Sequence, residues 1–223
     1  MYSSLVVSKL VATGRTPVTA AILAGGESSR MSAPKALLKV GGSPIIKREA
    51  EALGRVFDEL LVVANDPAPY AALGLAVIPD ADEFRELKGP MTGLYSALLS
   101  AGNDYVFAAA CDMPFIEPEL VEWMAGLRHG FDAVVPKTGG LVEPLFGVYA
   151  RRAAPVLEGL LRGGNRRLQD ALGSLAVRFV GEEEMRRYDP ELRSLMNVNT
   201  PDELSRARSL AALMSREKRA DRV

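Results

Sequence analysis

Apolar residues form short continuous runs that alternate with longer segments of helical periodicity. Runs without polar alternation occur at residues 19–24, 59–65, 75–80, 105–112, 132–137, 144–150 and 175–181. Segments with a helical start signal or an amphipathic pattern occur at residues 44–56, 89–102, 117–130, 151–164, 165–173 and 199–217. Strands that are apolar on both faces are typical of a sheet covered by helices on both sides. We therefore predict a three-layer α/β/α fold with a mostly parallel sheet.

The last helix has a clear start signal. Thr200 is the expected N-cap, Pro201 occupies the first helical position and Glu203 the third, which together predict a capping box. The residues after this helix are highly charged. We predict one domain over residues 18–215, an N-terminal extension over 1–17 rather than a cleaved signal, and a fraying charged tail over 216–223.

Composition narrows the classes of partner. The 223 residues have a formal net charge of -1, so we expect no bulk electrostatic attraction to nucleic acid or to a membrane surface. No apolar run reaches the roughly 18–20 residues that span a bilayer. The single cysteine, Cys111, excludes an internal disulfide and a thiolate zinc site, and we expect a cytoplasmic protein.

Polar residues follow three of the predicted strands. The loop at residues 25–35 follows the first strand, Asp80 follows the third, and Asp112 follows the fourth. Ligands of parallel α/β sheets bind beyond the carboxyl ends of the strands. We therefore expect the three elements to form one site.

The loop at residues 25–35 has the composition of a phosphate-binding loop. Gly25 and Gly26 allow ligand atoms to approach the backbone closely, and successive amides can face phosphate oxygens. Arg30 and Lys35 add positive charge. The loop is neither a Walker A motif nor GxGxxG. The alternative is a plain Gly-Gly turn, but two cations in the same loop favour phosphate binding.

Asp112 is the candidate metal ligand. A carboxylate directly after an apolar strand is costly to bury unpaired, and Mg²⁺ is typically held by one or two carboxylates plus substrate phosphates. The alternative for Asp112 is an N-cap or turn residue, and for Asp80 a turn residue. Cys111 is interpreted as a buried apolar residue, and His129, the single histidine, as a surface residue at a helix end.

Four motifs carry a resemblance to a known family. The segment LAGGESSRMSAPK is similar to the nucleotide-binding loop of nucleotidyltransferases. The segments GPMTGLYSAL, CDMPFIEPEL and MNVNTPDEL resemble, in this order, those of the MobA family of molybdenum cofactor guanylyltransferases. The resemblance runs from about residue 18 to 204. It implies a Rossmann-like nucleotidyltransferase fold for the domain at 18–215.

The resemblance also implies roles for individual residues. Those that match the nucleotide-binding residues of the family are Leu23, Ala24, Gly25, Gly26, Lys35, Asp80 and Asp112. Those that match its catalytic residues are Lys35, Asp112 and Arg30. Asp112 also matches its Mg²⁺ ligand, so Mg²⁺ is the implied cofactor. Asn197 and Asn199 lie in the NVNTP motif, which in the family is on the pterin side.

The implied reaction transfers GMP from GTP to molybdenum-bound molybdopterin and releases pyrophosphate. GTP and molybdopterin are then the small-molecule partners, and other molybdenum cofactor biosynthesis proteins and molybdoenzymes are the implied protein partners. The acceptor is a phosphate monoester, whose second pKa is about 6, so it needs no general base. The absence of a plausible catalytic histidine is consistent with this reaction.

Two departures leave alternatives open. Ser32 replaces a glycine of the family loop, and Val63 stands where well-known members have a nucleotide-binding asparagine; Asn65, two residues on, lies on the same face of the strand. The alternatives are a molybdenum cofactor cytidylyltransferase, a sugar-1-phosphate nucleotidyltransferase and, in a different class, a non-catalytic nucleotide or cofactor carrier. LAGG at the start of the loop favours guanine, and the chain has no hexapeptide repeat.

Overall fold

The structure, a computed structural model, describes residues 15–25 and 34–220, with the backbone alone for 218–220. The strands in this part of the chain are β1 (Thr19–Leu23), β2 (Lys39–Val40), β3 (Ser43–Pro44), β4 (Glu59–Val63), β5 (Ala76–Ile78), β6 (Tyr105–Ala110), β7 (Ala133–Thr138), β8 (Leu141–Val142), β9 (Phe146–Ala150) and β10 (Val177–Gly181). The α-helices are α1 (Ile45–Leu53), α2 (Pro90–Ser100), α3 (Pro118–Gly126), α4 (Ala154–Arg162), α5 (Leu168–Leu172), α6 (Glu182–Met185) and α7 (Pro201–Ala220).

The main sheet is mixed but mostly parallel. Its strand order is β10-β7-β9-β6-β1-β4-β5, with β8 paired to β7. β1 lies parallel between β4 and β6, whereas β9 runs antiparallel to both β6 and β7. β8 is also antiparallel to β7. The mostly parallel sheet is therefore confirmed, and the direction of β9 is a detail that the apolar pattern did not contain.

Helices cover both faces of this sheet, as the apolar strands predicted. Alternate residues of β1 point to opposite sides: Ile22 belongs to the apolar cluster that contains α1 and α3, and Ala21 to the cluster that contains α2, α4 and α5. All five side chains of β1 are buried. Because β1 has a helical layer on each side, every position along it favours an apolar or small residue.

The final helix packs away from the sheet, on the small β2–β3 hairpin. Val40, Ile45 and Ala207 belong to this third apolar cluster. The capping box is confirmed: the Glu203 amide donates to Thr200 Oγ1 (3.2 Å), and the Thr200 amide donates to Glu203 Oε2 (2.9 Å). α7 continues to Ala220, so the helix extends into the segment 216–223 that we expected to fray.

Several short elements were not predicted. They are the β2–β3 hairpin, β8 and α6. Each has only two to four residues, which is too short for a period of 2 or 3.6 to emerge from the sequence. None of the described helices has both the length and the apolar character needed to cross a membrane.

Candidate functional site

A cavity of about 220 Å³ opens at the carboxyl ends of β1, β4 and β6. The strand order reverses at β1, which is where parallel α/β sheets place their ligands. Six of the residues predicted to bind nucleotide line this cavity: Leu23, Ala24, Gly25, Lys35, Asp80 and Asp112. The prediction that three separate loops come together is confirmed in that these six residues line one cavity.

The backbone after β1 is held in place on the cavity wall. The Ala24 amide donates to the Val63 carbonyl (2.9 Å), and the Tyr70 hydroxyl donates to the Ala24 carbonyl (3.3 Å). Burial raises the pKa of Tyr70 to about 12, so this hydroxyl stays protonated as a donor. Among the described residues, a Cβ built on Gly25 would meet only the Val63 carbonyl oxygen, at 4.0 Å. The space beside Gly25 is therefore open to a ligand.

Lys35 connects two parts of the chain that are distant in sequence. It begins a single 3₁₀ turn, Lys35–Leu37, that is anchored by the buried side chain of Ala36. Its ammonium lies 3.4 Å from Asp112 Oδ2 and 2.5 Å from Asn199 Oδ1. The lysine of the first loop thus meets both the carboxylate after β6 and an asparagine two residues before α7.

Asp112 is largely withdrawn from water. Its side chain is 13% exposed, and its backbone carbonyl accepts a hydrogen bond from the Val198 amide (2.9 Å). Burial raises the pKa of the Asp112 carboxyl, and the adjacent Lys35 ammonium opposes that rise. Burial is the larger effect, so the charged form of this carboxyl would be favoured by a further cation beside it.

A second acidic group lies close to Asp112. Burial raises the pKa of Glu143, hydrogen bonds from the Leu145 amide and the Asn197 side chain oppose the rise, and the negative charge of Asp112 adds to it. Asn197 Nδ2 donates to Glu143 Oε2 (3.4 Å), while its buried Oδ1 has no hydrogen-bond partner among the described residues. The sequence analysis did not single out Glu143.

The two asparagines predicted on the pterin side have different surroundings. Asn199 contacts Lys35 directly, and Asn197 contacts Glu143. Neither belongs to the lining of the cavity. Their contact with a pterin stays a prediction.

The donor chemistry fits one magnesium ion bound together with phosphate. Among residues 15–25 and 34–220, no group of three or more His, Cys, Asp or Glu side chains is arranged to hold a metal ion alone. Mg²⁺ commonly takes one or two carboxylates and completes its shell with substrate phosphates and water. A desolvated carboxylate that faces the cavity, short of positive charge, matches that requirement.

Asp80 is held by two hydrogen bonds to Asn65, which lies just after β4. Asn65 Nδ2 donates to Asp80 Oδ2 (2.8 Å), and the Asp80 amide donates to Asn65 Oδ1 (3.0 Å). Both ends of the Asn65 amide are therefore engaged by Asp80. Val63 lines the cavity at the end of β4. Asn65 does not replace the missing asparagine as a wall of the cavity; it orients the buried aspartate.

The other lining residues were not predicted to bind nucleotide, and Gly93 and Tyr70 are two of them. Gly93 lies in the first turns of α2, and a Cβ built there would contact Leu23 Cδ1 at 3.6 Å and Asp80 Oδ1 at 3.9 Å. The motif GPMTGLYSAL contains Gly93, so its position was a signal that could have found it. Tyr70 lies in a 3₁₀ segment, Ala68–Leu73, whose sequence has no comparable signal.

The remaining candidates divide into two groups. Gly26, Arg30 and Ser32 lie outside the described residues, so their predicted roles stay predictions. Burial raises the pKa of the Cys111 thiol, which makes it a poor nucleophile, and His129 is exposed beside the ring of Tyr105. The interpretation of both as residues without a catalytic role is consistent with these surroundings.

Comparison with known proteins identifies the family. The model of the MobA-like NTP transferase domain matches residues 20–177. The chain belongs to the MobA-like NTP transferase family. That match includes residues 20–25, Lys35, Asp80 and Asp112, and hence all the described residues predicted to bind nucleotide.

Relatives of this MobA-like chain match it over most of their length. The molybdenum cofactor guanylyltransferase of Desulfosudis oleivorans is 36% identical over 85% of this chain and 94% of that protein. A probable molybdenum cofactor guanylyltransferase of Pelotomaculum thermopropionicum is 38% identical over 86% of this chain and 93% of that protein.

Solved structures of similar proteins have the same fold. Molybdopterin-guanine dinucleotide biosynthesis protein A from Archaeoglobus fulgidus superposes with a TM-score of 0.77 at 31% identity, covering 87% of this chain and 99% of that one. The 2-C-methyl-D-erythritol 4-phosphate cytidylyltransferase of Thermus thermophilus has a TM-score of 0.64 at 19% identity, covering 88% of this chain and 99% of that one. The second likeness concerns the fold alone, and it confirms the Rossmann-like nucleotidyltransferase architecture.

Proposed function

We propose that this protein is a molybdenum cofactor guanylyltransferase, which transfers GMP from GTP to molybdenum-bound molybdopterin. The observation that carries the proposal is the meeting of Lys35 and Asp112, 3.4 Å apart, on the wall of the cavity at the switch point of the sheet. Relatives named guanylyltransferases, 36% and 38% identical over most of the chain, support guanine and the molybdenum cofactor as the substrates.

The reaction requires alignment of two anions rather than a strong base. A phosphate oxygen of the acceptor attacks the α-phosphorus of GTP, the bond from that phosphorus to the oxygen bridging to the β-phosphate breaks, and pyrophosphate leaves. The acceptor phosphate is mostly dianionic at neutral pH and is already nucleophilic. The catalytic contribution of the protein is therefore positioning and charge neutralisation.

The described residues divide these tasks. The open backbone at Gly25 lets phosphate groups approach, and Lys35 offsets charge on the triphosphate and on the departing pyrophosphate. Asp112 would hold Mg²⁺, which when bound supplies positive charge to the phosphate oxygens. We assign Arg30 and the amides around Gly26 to the triphosphate as well.

The chain's partners follow from the same proposal. GTP and molybdopterin are the substrates; contacts with other molybdenum cofactor biosynthesis proteins and with molybdoenzymes, and a cytoplasmic location, stay predictions. Asn197 and Asn199 are assigned to the acceptor side because they belong to the NVNTP motif, and Asn199 contacts Lys35.

The test is turnover with different nucleotides. Purified protein, Mg²⁺ and molybdenum-bound molybdopterin are incubated with GTP, CTP or ATP, and pyrophosphate and the dinucleotide product are measured. We expect GTP to be the preferred substrate. Preference for CTP would instead identify a cytidylyltransferase, an outcome that Val63 on the cavity wall makes worth measuring. Tight GTP binding without turnover would identify a carrier.

A valine at position 25 is expected to weaken GTP binding by about tenfold or more, with a similar midpoint of thermal unfolding. The added Cβ meets no atom of the described residues closer than 4.0 Å, so the new side chain should fit the fold while it occupies the space beside the backbone. Calorimetric titration of Gly25→Val with GTP measures the effect. Gly159→Val, an exposed site on α4 with no atom within 4 Å, is the control. Unchanged affinity in Gly25→Val would mean that the loop is only a turn.

A further inference from the structure

Two consecutive residues of α1, Arg48 and Glu49, form hydrogen bonds with the loop that follows Asp112. The Met113 amide donates to Glu49 Oε1 (2.8 Å), and Arg48 Nε donates to the Pro114 carbonyl (2.9 Å). The Arg48 guanidinium also lies over the Phe115 ring, 5.5 Å from its centroid. One helix therefore contacts three successive residues that follow Asp112.

The bond from Glu49 acts on a single peptide group. The Asp112 carbonyl and the Met113 amide belong to the same planar peptide unit. The carbonyl accepts from the Val198 amide (2.9 Å), and the amide donates to Glu49. Because the unit is bonded at both ends, it cannot rotate without breaking a hydrogen bond. Its orientation fixes the backbone of Asp112, and hence the direction in which the Asp112 side chain leaves the chain.

Stability alone does not account for a carboxyl group at position 49. Glu49 is 1% exposed and its helix neighbours Ile46 and Leu53 are completely buried. Its Oε2 has no hydrogen-bond partner among the described residues. Burying a polar oxygen without a partner costs roughly 1–3 kcal/mol, which is about what an apolar residue would cost here by leaving the Met113 amide without its acceptor. Packing therefore does not explain the carboxyl group of Glu49, and we look for its role in the bond to Met113.

We propose that Glu49 is a positioning residue for nucleotidyl transfer: through Met113 it sets the place of the Asp112 carboxylate opposite Lys35. This inference rests on the proposed function for its activity readout, and it names a residue outside the four family motifs. Glu49 is not one of the residues that line the cavity; it acts through the peptide group after Asp112.

Two substitutions separate the hydrogen bond from the packing. Glu49→Gln keeps an acceptor oxygen at the same distance along the side chain, whereas Glu49→Leu has a similar size and no acceptor. Glu51, exposed on the same helix, provides Glu51→Gln and Glu51→Leu as matched controls. For Glu49→Leu we expect kcat to fall by about 10- to 100-fold, with KM for GTP changed by less than about threefold, since a small displacement of a reacting group has effects of this size. Glu49→Gln should restore kcat to within about threefold of the unaltered protein.

A second readout does not depend on catalysis. Hydrogen exchange of the Met113 amide, followed by NMR, should be slow in the unaltered protein and in Glu49→Gln, and faster by about tenfold or more in Glu49→Leu. Exchange in the centre of β6 should be equal in all three, which controls for global stability. If the protein transfers no nucleotide at all, this measurement still tests the geometry, so failure of the proposed function is distinguishable from failure of this inference.

Three results would overturn the proposal. The first is wild-type kcat in Glu49→Leu. The second is an equal loss of kcat in Glu49→Gln and Glu49→Leu, because the acceptor oxygen would then not be the cause. The third is unchanged exchange at Met113 in Glu49→Leu. If Glu49→Leu does not fold, the Gln variant decides alone: its Met113 amide must stay protected and its kcat must stay within about threefold.

Discussion

Asp112→Asn is expected to fold and to lose roughly 100- to 1,000-fold in turnover, the range found when one preorganised charge or donor is removed from an active site. The amide has nearly the shape of the carboxylate, and the bond from Val198 is made to the backbone carbonyl, which the substitution leaves intact. Burial already raises the pKa of Asp112, so a neutral side chain should not lower the free energy of unfolding. Pyrophosphate release and thermal unfolding measure the two effects separately.

The matched control for this substitution is Asp202→Asn, at an exposed aspartate in the first turn of α7. It should keep wild-type turnover and a wild-type response to Mg²⁺ concentration. Near-wild-type turnover in Asp112→Asn as well would remove Asp112 from the set of metal ligands. The metal would then have to be held by the phosphates with another carboxylate, and Glu143 is one that senses the charge of Asp112.

Lys35→Ala is expected to lower turnover by roughly 100-fold and GTP affinity by about tenfold, or ~1.4 kcal/mol. The larger effect on turnover follows if the ammonium mainly offsets charge that builds as pyrophosphate leaves. The structure adds a second reason: without Lys35, the buried carboxylate of Asp112 loses the cation that lowers its pKa. Steady-state kinetics and calorimetry with GTP measure the two numbers.

Lys35→Arg should restore only part of the activity. The ammonium lies between Asn199 Oδ1 and Asp112 Oδ2, and a planar guanidinium is longer and directional. Lys39→Ala, an exposed lysine on β2, is the control and should leave the kinetics unchanged. A large rise in KM with intact turnover would make Lys35 a binding residue and leave the leaving-group charge to Arg30 and Mg²⁺.

The sequence by itself determined the layers of the fold and the general place of the site. Runs such as residues 19–24 are apolar at every position, and only a strand between two helical layers needs that composition. Gly25, Asp80 and Asp112 follow parallel strands, whose carboxyl ends lie on one edge of the sheet. Their meeting in one cavity could therefore be predicted without coordinates, as could the capping box at Thr200.

Only the tertiary structure decided which side chains touch. Lys35 contacts Asn199, which is distant from it in sequence. Asn65 is hydrogen-bonded to Asp80. Glu49 of α1 accepts a hydrogen bond from the Met113 amide. It also decided that β9 runs antiparallel to its neighbours. The physical reason is the same for all of them. Hydrophobic periodicity records which face of an element is buried, whereas strand direction and long-range polar contacts depend on how elements distant in sequence are packed together.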